Sequence, residues 1–119
     1  MDKEELKNRT KVFAVRVFKF LLTITKSMET EVISHQLLKS ASSVAANYRA
    51  TCRGKSNADF LNKLKVVDEE ADESLFWLEL IDELNIKCDK IELKALMKEA
   101  NELVSIFSAS IKTLKSKNL

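Results

Sequence analysis

Arg49, Arg53 and Lys55 crowd one short stretch of the chain, and Lys63 and Lys65 follow one or two helical turns later. Cations converging in this way suit phosphate binding, because each neutralised phosphate releases condensed counterions. Lys39, upstream, and Arg16, near the start, are outlying members of the same candidate set. Contacts of this kind position a nucleic acid without reading its sequence. A plainer use also exists: the five cations serve as ordinary solvated charges or as partners for the acidic run Asp68, Glu69, Glu70, Asp72 and Glu73.

Other chemistries are poorly provided for. A di-iron centre in a helical bundle needs a Glu from each of two helices and a Glu-x-x-His from each of the others. The chain has one histidine, His35, with no glutamate three residues before it. No metal and no cofactor are expected. Cys52 and His35 are 17 residues apart on one expected helix, about 25 Å at the helical rise, too far to form a nucleophile–base pair. A phosphate-cradling loop needs several glycines, and there is one. Cys52 and Cys88 have no CxxC spacing and suit buried reduced thiols. Trp77, within LFWLEL, suits a core or interface position better than a ligand platform. Enzymatic activity is not expected.

The elements that must position these residues follow from composition and periodicity. Apolar residues make up 45% of the chain and charged residues 32%, with no proline and a single glycine, Gly54. Sheets need turns, and turns lean on Gly and Pro, so this composition predicts long helices and an all-α fold. A stripe of Leu6, Phe13, Val17, Phe20 and Ile24 predicts a first helix over about 3–26. Ala14, Phe18, Leu21 and Leu22 give it a second apolar face, which must meet another neighbour or another subunit. Ile33, Leu37, Ala41, Val44 and Tyr48 predict a second helix over about 32–53. Its small residues Ser40 to Ser43, Ala45 and Ala46 suggest a close helix crossing, and Gly54 suits a left-handed C-terminal cap. Phe60, Leu64, Val67, Ala71, Leu75, Leu78 and Ile81 predict a third helix over about 57–84, opened by a Ser56–Asp59 capping box. Leu93, Leu96, Ala100, Leu103, Phe107, Ile111 and Leu114 predict a fourth over about 90–115, capped by Asp89, with Ser116 to Leu119 fraying. Short connections make neighbours antiparallel, so the expectation is one domain over 1–119, an up-down-up-down four-helix bundle.

No stretch approaches the roughly 20 apolar residues that a membrane span needs, and the mixed charges of the first ten residues do not resemble a secretory signal. No membrane association and a cytoplasmic location are expected. The net charge of +2 is unevenly spread: segment 56–85 holds two basic and nine acidic residues, whereas every other segment is net basic. Such asymmetry favours complementary contacts between segments or between subunits.

The second and third helices resemble a known family. Gln36 to Ser40, Ser43, Val44, Ala46 and Asn47 match its QLL-[RK]-S-x-x-S-[IV]-x-A-N block. Asp59, Phe60, Lys63 and Leu64 match its D-F-x-x-K-L block, and Glu70, Ala71, Glu73, Ser74, Phe76, Trp77 and Leu78 match its E-A-x-E-[ST]-x-[YFW]-W-L block. On these blocks the chain is similar to the 23S ribosomal RNA intervening-sequence proteins, a family of bacterial four-helix bundles. Two positions depart from the pattern: Ala45 stands where a glycine is common, and Ala50 where relatives carry a glutamate. The resemblance implies a homo-oligomer, a pentamer like the related accessory proteins of diversity-generating retroelements, which bind nucleic acid through a basic surface.

Two functions follow as expectations. The first is a non-catalytic oligomer associated with RNA or DNA through Arg49, Arg53, Lys55 and Lys63, with Lys39 and Arg16 as outliers. The alternative is an oligomeric protein–protein adaptor that engages a basic partner protein through the acidic face of the third helix.

Overall fold

The computed structural model describes residues 1–117, and these form four helices with no strand: α1 Lys3–Leu21, α2 Met28–Thr51, α3 Asn57–Glu83 and α4 Lys90–Ser116. Each begins at a residue whose side chain accepts the amide of the residue three further on: Asp2, Ser27, Ser56 and Asp89. Such caps satisfy amides that have no partner inside the helix. The backbones pack in the order α1–α2–α3–α4–α1 and the diagonal pairs stay apart, which is an antiparallel four-helix bundle. A 27-residue helix is about 40 Å long, matching the 47 Å long axis.

The expected stripes of α1 and α2 are buried throughout, and Leu93, Leu96, Ala100, Leu103 and Phe107 of α4 are fully buried. On α3 the buried face begins at Leu61, leaving Phe60 and Leu75 half-buried. The small residues of α2 serve two different faces. Ser40 and Ala41 lie in the core, where the Ser74 hydroxyl of α3 comes within 3.0 Å of that of Ser40, so α2 and α3 do cross closely. Ser42, Ala45 and Ala46 instead face outward beside α1.

Three expected termini are corrected. α1 stops at Leu21, not near 26, because Thr23 bonds back to the Phe20 carbonyl and Ser27 opens α2 four residues early. There Ser27 and Thr30 form a full capping box, with Thr30 Oγ1 accepting the Ser27 amide at 2.8 Å. α2 accordingly ends at Thr51. Gly54 is not left-handed; the only residue with positive φ among those described is Asn85, which follows α3. The Ser56–Asp59 box is half formed, since Asp59 Oδ2 takes the Lys55 amide at 3.2 Å and not that of Ser56. α4 runs one residue past the expected end; of the tail expected to fray, Asn118 and Leu119 lie outside the described residues. Among the described residues no helix is long and apolar enough to cross a membrane.

Candidate nucleic-acid interface

Antiparallel packing brings four helix ends together at one pole: the start of α1, the end of α2, the start of α3 and the end of α4. Tyr48 of α2 packs on Phe107 of α4 with ring centroids 5.8 Å apart, and Lys3 of α1 sits 4.6 Å from the Phe60 ring centroid of α3. Burial pushes the Tyr48 phenol above its ordinary pKa, with Cys52 one turn on adding to the effect. Tyr48 is therefore a fixed strut beneath the pole.

Around this strut, past the two glutamates of its first turn, α2 carries cations alone. From Val32 to Ala58 the chain has no Asp or Glu, yet it holds Lys39, Arg49, Arg53 and Lys55. Arg49 lies in the last turn of α2, where a cation complements the negative end of the helix dipole. Arg53 and Lys55 follow in the turn to α3. All three are exposed, and none pairs with a carboxylate among the described residues. The turn holds its shape through Arg53 and Gly54 amides bonded to the Ala50 and Thr51 carbonyls, both at 3.0 Å. A Cβ on Gly54 would lie 2.9 Å from Asp59 Oδ2 and 3.1 Å from the Thr51 carbonyl oxygen. Glycine is there for space.

The remaining candidates separate. Lys63 belongs to the same pole but spans 3.4 Å to Asp59, so part of its charge is answered. Lys39 is exposed about three turns before Arg49 on α2, close enough to favour ionisation of the half-buried Glu70, whose pKa burial and Glu73 push up. Arg16 lies apart from the others and is paired. Its guanidinium makes two bonds of 3.0 Å to the Glu92 carboxylate, because this face of α1 looks at α4. Arg9 does the same with Glu99 at 2.7 Å twice, and adds Glu102 at 3.1 Å.

Lys7, Lys11 and Lys19 of α1 were absent from the sequence-derived set. Together with Arg49 they rim an open groove of about 870 Å³ between α1 and α2, floored by Ala14, Val15, Phe18, Ala45 and Ala46. The available signal was the second apolar face of α1, flanked by lysines at helical spacing.

The acidic run is spread around α3. Asp68 sits 3.3 Å from the Ser108 hydroxyl with its pKa raised by burial, and Glu73 accepts from Trp77 Nε1 at 3.3 Å. Among the described residues no three His, Cys, Asp or Glu side chains gather as metal ligands, and every buried side-chain polar atom has a partner. Cys52 and Cys88 are free and half-buried at opposite ends, and burial raises the Cys88 pKa.

These features define a small antiparallel helical bundle whose distinctive chemistry lies on its outer faces and not in its interior. The chain belongs to the 23S rRNA-intervening sequence protein family, whose model matches residues 3–109. A crystal structure of a Bacteroides thetaiotaomicron protein of unknown function, from the S23 ribosomal protein family, is 31% identical and superposes with a TM-score of 0.76, over 94% of this chain and 99% of that one. No curated protein matches. The family resemblance carried by the α2 and α3 blocks holds.

Proposed function

We propose that this protein is a non-catalytic, self-assembling bundle of the cytoplasm that holds RNA, or another nucleic acid, by its phosphates. The observation that carries this is the acid-free span from Val32 to Ala58, which ends in three exposed cations, Arg49, Arg53 and Lys55, without carboxylate partners among the described residues. Lys63 and Lys39 extend the surface; Arg16 is committed to Glu92. The family description ties its members to the intervening sequence of 23S rRNA, which makes RNA the first nucleic acid to test.

Fluorescence anisotropy with a short labelled RNA, across a salt series, is the test. Affinity should fall steeply with salt, by roughly 0.7 to 0.9 log units per log unit of salt for each phosphate neutralised. The R49A/R53A/K55A variant should bind more weakly and show a salt slope shallower by about two to three units. An affinity flat with salt removes the phosphate mechanism. That outcome favours the adaptor reading, supported by the exposed carboxylates Glu69, Asp72, Glu79 and Glu83 on α3.

A further inference from the structure

Two outer surfaces remain unused by the bundle, and Arg49 alone is shared between one of them and the phosphate-binding pole. The first is the α1–α2 groove. Its floor is apolar, with Val15 and Phe18 45% and 46% exposed, and its rim carries Lys7, Lys11, Lys19 and Arg49 against a single acid, Glu4. Soluble monomers leave single apolar side chains in water without consequence, but a recessed apolar strip with a one-sign rim is a docking feature. The second surface runs along α3. Val66, Glu69, Asp72, Phe76, Glu79 and Glu83 are exposed and recur at steps of three or four, so they form one outward stripe opposite the buried face. Two of them are apolar, Val66 and Phe76 at 44% and 52% exposure, and the other four are acidic.

We infer that the α3 stripe of one copy docks in the α1–α2 groove of the next. This rests on the self-assembly part of the proposed function and names the surfaces that would make it. The chemistry of the two surfaces is complementary in each respect. Apolar floor meets the apolar pair, and a lysine- and arginine-lined rim meets carboxylates. The lengths agree as well: Glu4 to Lys19 spans about 22 Å along α1, and Val66 to Glu83 about 25 Å along α3. Within one bundle they cannot meet, because α3 lies diagonal to α1 and its stripe points away from the core. The contact joins unlike surfaces, so it is heterologous and propagates from copy to copy into a ring or a filament, unlike a two-fold dimer. Helix-in-groove docking of this kind uses anchors at three- and four-residue spacing.

Charge reversal tests it without touching the core. K11E/K19E makes the groove rim acidic, and D72K/E79K makes the stripe basic. Sedimentation velocity across a concentration series should show wild type assembling and each variant associating at least tenfold more weakly, with unchanged helical circular dichroism. Carrying all four reversals on one chain should restore assembly, since its groove and stripe then complement each other again. Wild type that stays monomeric at all concentrations overturns both the self-assembly reading and this contact. Assembly that neither reversal weakens, or that the combined reversal fails to restore, overturns the contact alone. Phosphate binding is read separately by anisotropy with R53A/K55A, because both residues lie outside the groove.

Discussion

Gly54 occupies a turn in which its backbone is ordinary and its missing side chain is what matters. An added methyl would press on the Asp59 carboxylate at 2.9 Å and on the Thr51 carbonyl oxygen at 3.1 Å. Asp59 is the side chain that holds the Lys55 amide and stands beside Lys63. Gly54→Ala should therefore displace Asp59 and cost about 1 kcal/mol, the size of a lost cap. Urea unfolding measures it; a stabilised variant, as expected if only chain entropy changed, would show that the turn gives way freely. Charges obey a similar local logic. Arg49, Arg53 and Lys55 were legible from sequence because they are neighbours along the chain on a span without acids. The pairing of Arg16 was not legible because its partner Glu92 is 76 positions away, and only the adjacency of α1 and α4 brings the two together. Lys7, Lys11 and Lys19 were missed for the same reason, since a groove belongs to a pair of helices and not to either one.

At the scale of elements, side-chain periodicity located all four helices, because apolar residues every three or four positions have no other means of burial. The ends were less legible where no Gly or Pro marks them. The α1–α2 connection is set by Ser27 and Thr30, whose hydroxyls close a capping box that uses threonine where glutamate is usual. Thr30 Oγ1 also lies 2.9 Å from the Thr25 carbonyl oxygen, so this one side chain fastens both the loop and the helix start. Ser27→Ala removes the acceptor for the Thr30 amide and should lower stability by about 1 kcal/mol. Thr30→Ala, which loses the loop anchor too, should cost more. Equal losses in denaturant melts would mean that the Thr25 contact contributes nothing. The outer stripe of α3 was likewise hidden in the sequence: the run from Asp68 to Glu73 read as one acidic block, yet the helix spreads it so that Asp68 meets α4 and Glu69 and Asp72 face solvent.

For the whole molecule, the asymmetry of the ring of contacts sets which part opens first. α2, α3 and α4 pack closely, whereas α1 touches α4 sparsely and leaves the groove open beside α2. At the surface it is bridged to α4 by the Arg9–Glu99 and Arg16–Glu92 pairs, which remain partly exposed to solvent. Phe13, Val17 and Phe20 still anchor α1 in the core, so it should open as a unit and not fray residue by residue. Amide hydrogen exchange at low protein concentration should therefore show the middle of α1 exchanging at least tenfold faster than the middle of α3, a gap of about 1.4 kcal/mol. Molar salt should widen the gap by screening the two arginine pairs. Raising the protein concentration should slow exchange in the middle of α1 in wild type and leave it unchanged in K11E/K19E, because a second copy seated in the groove would cover α1. Protection in α1 equal to that in α3 at low concentration would place its stability in the core alone and deny the ion pairs any part in holding it.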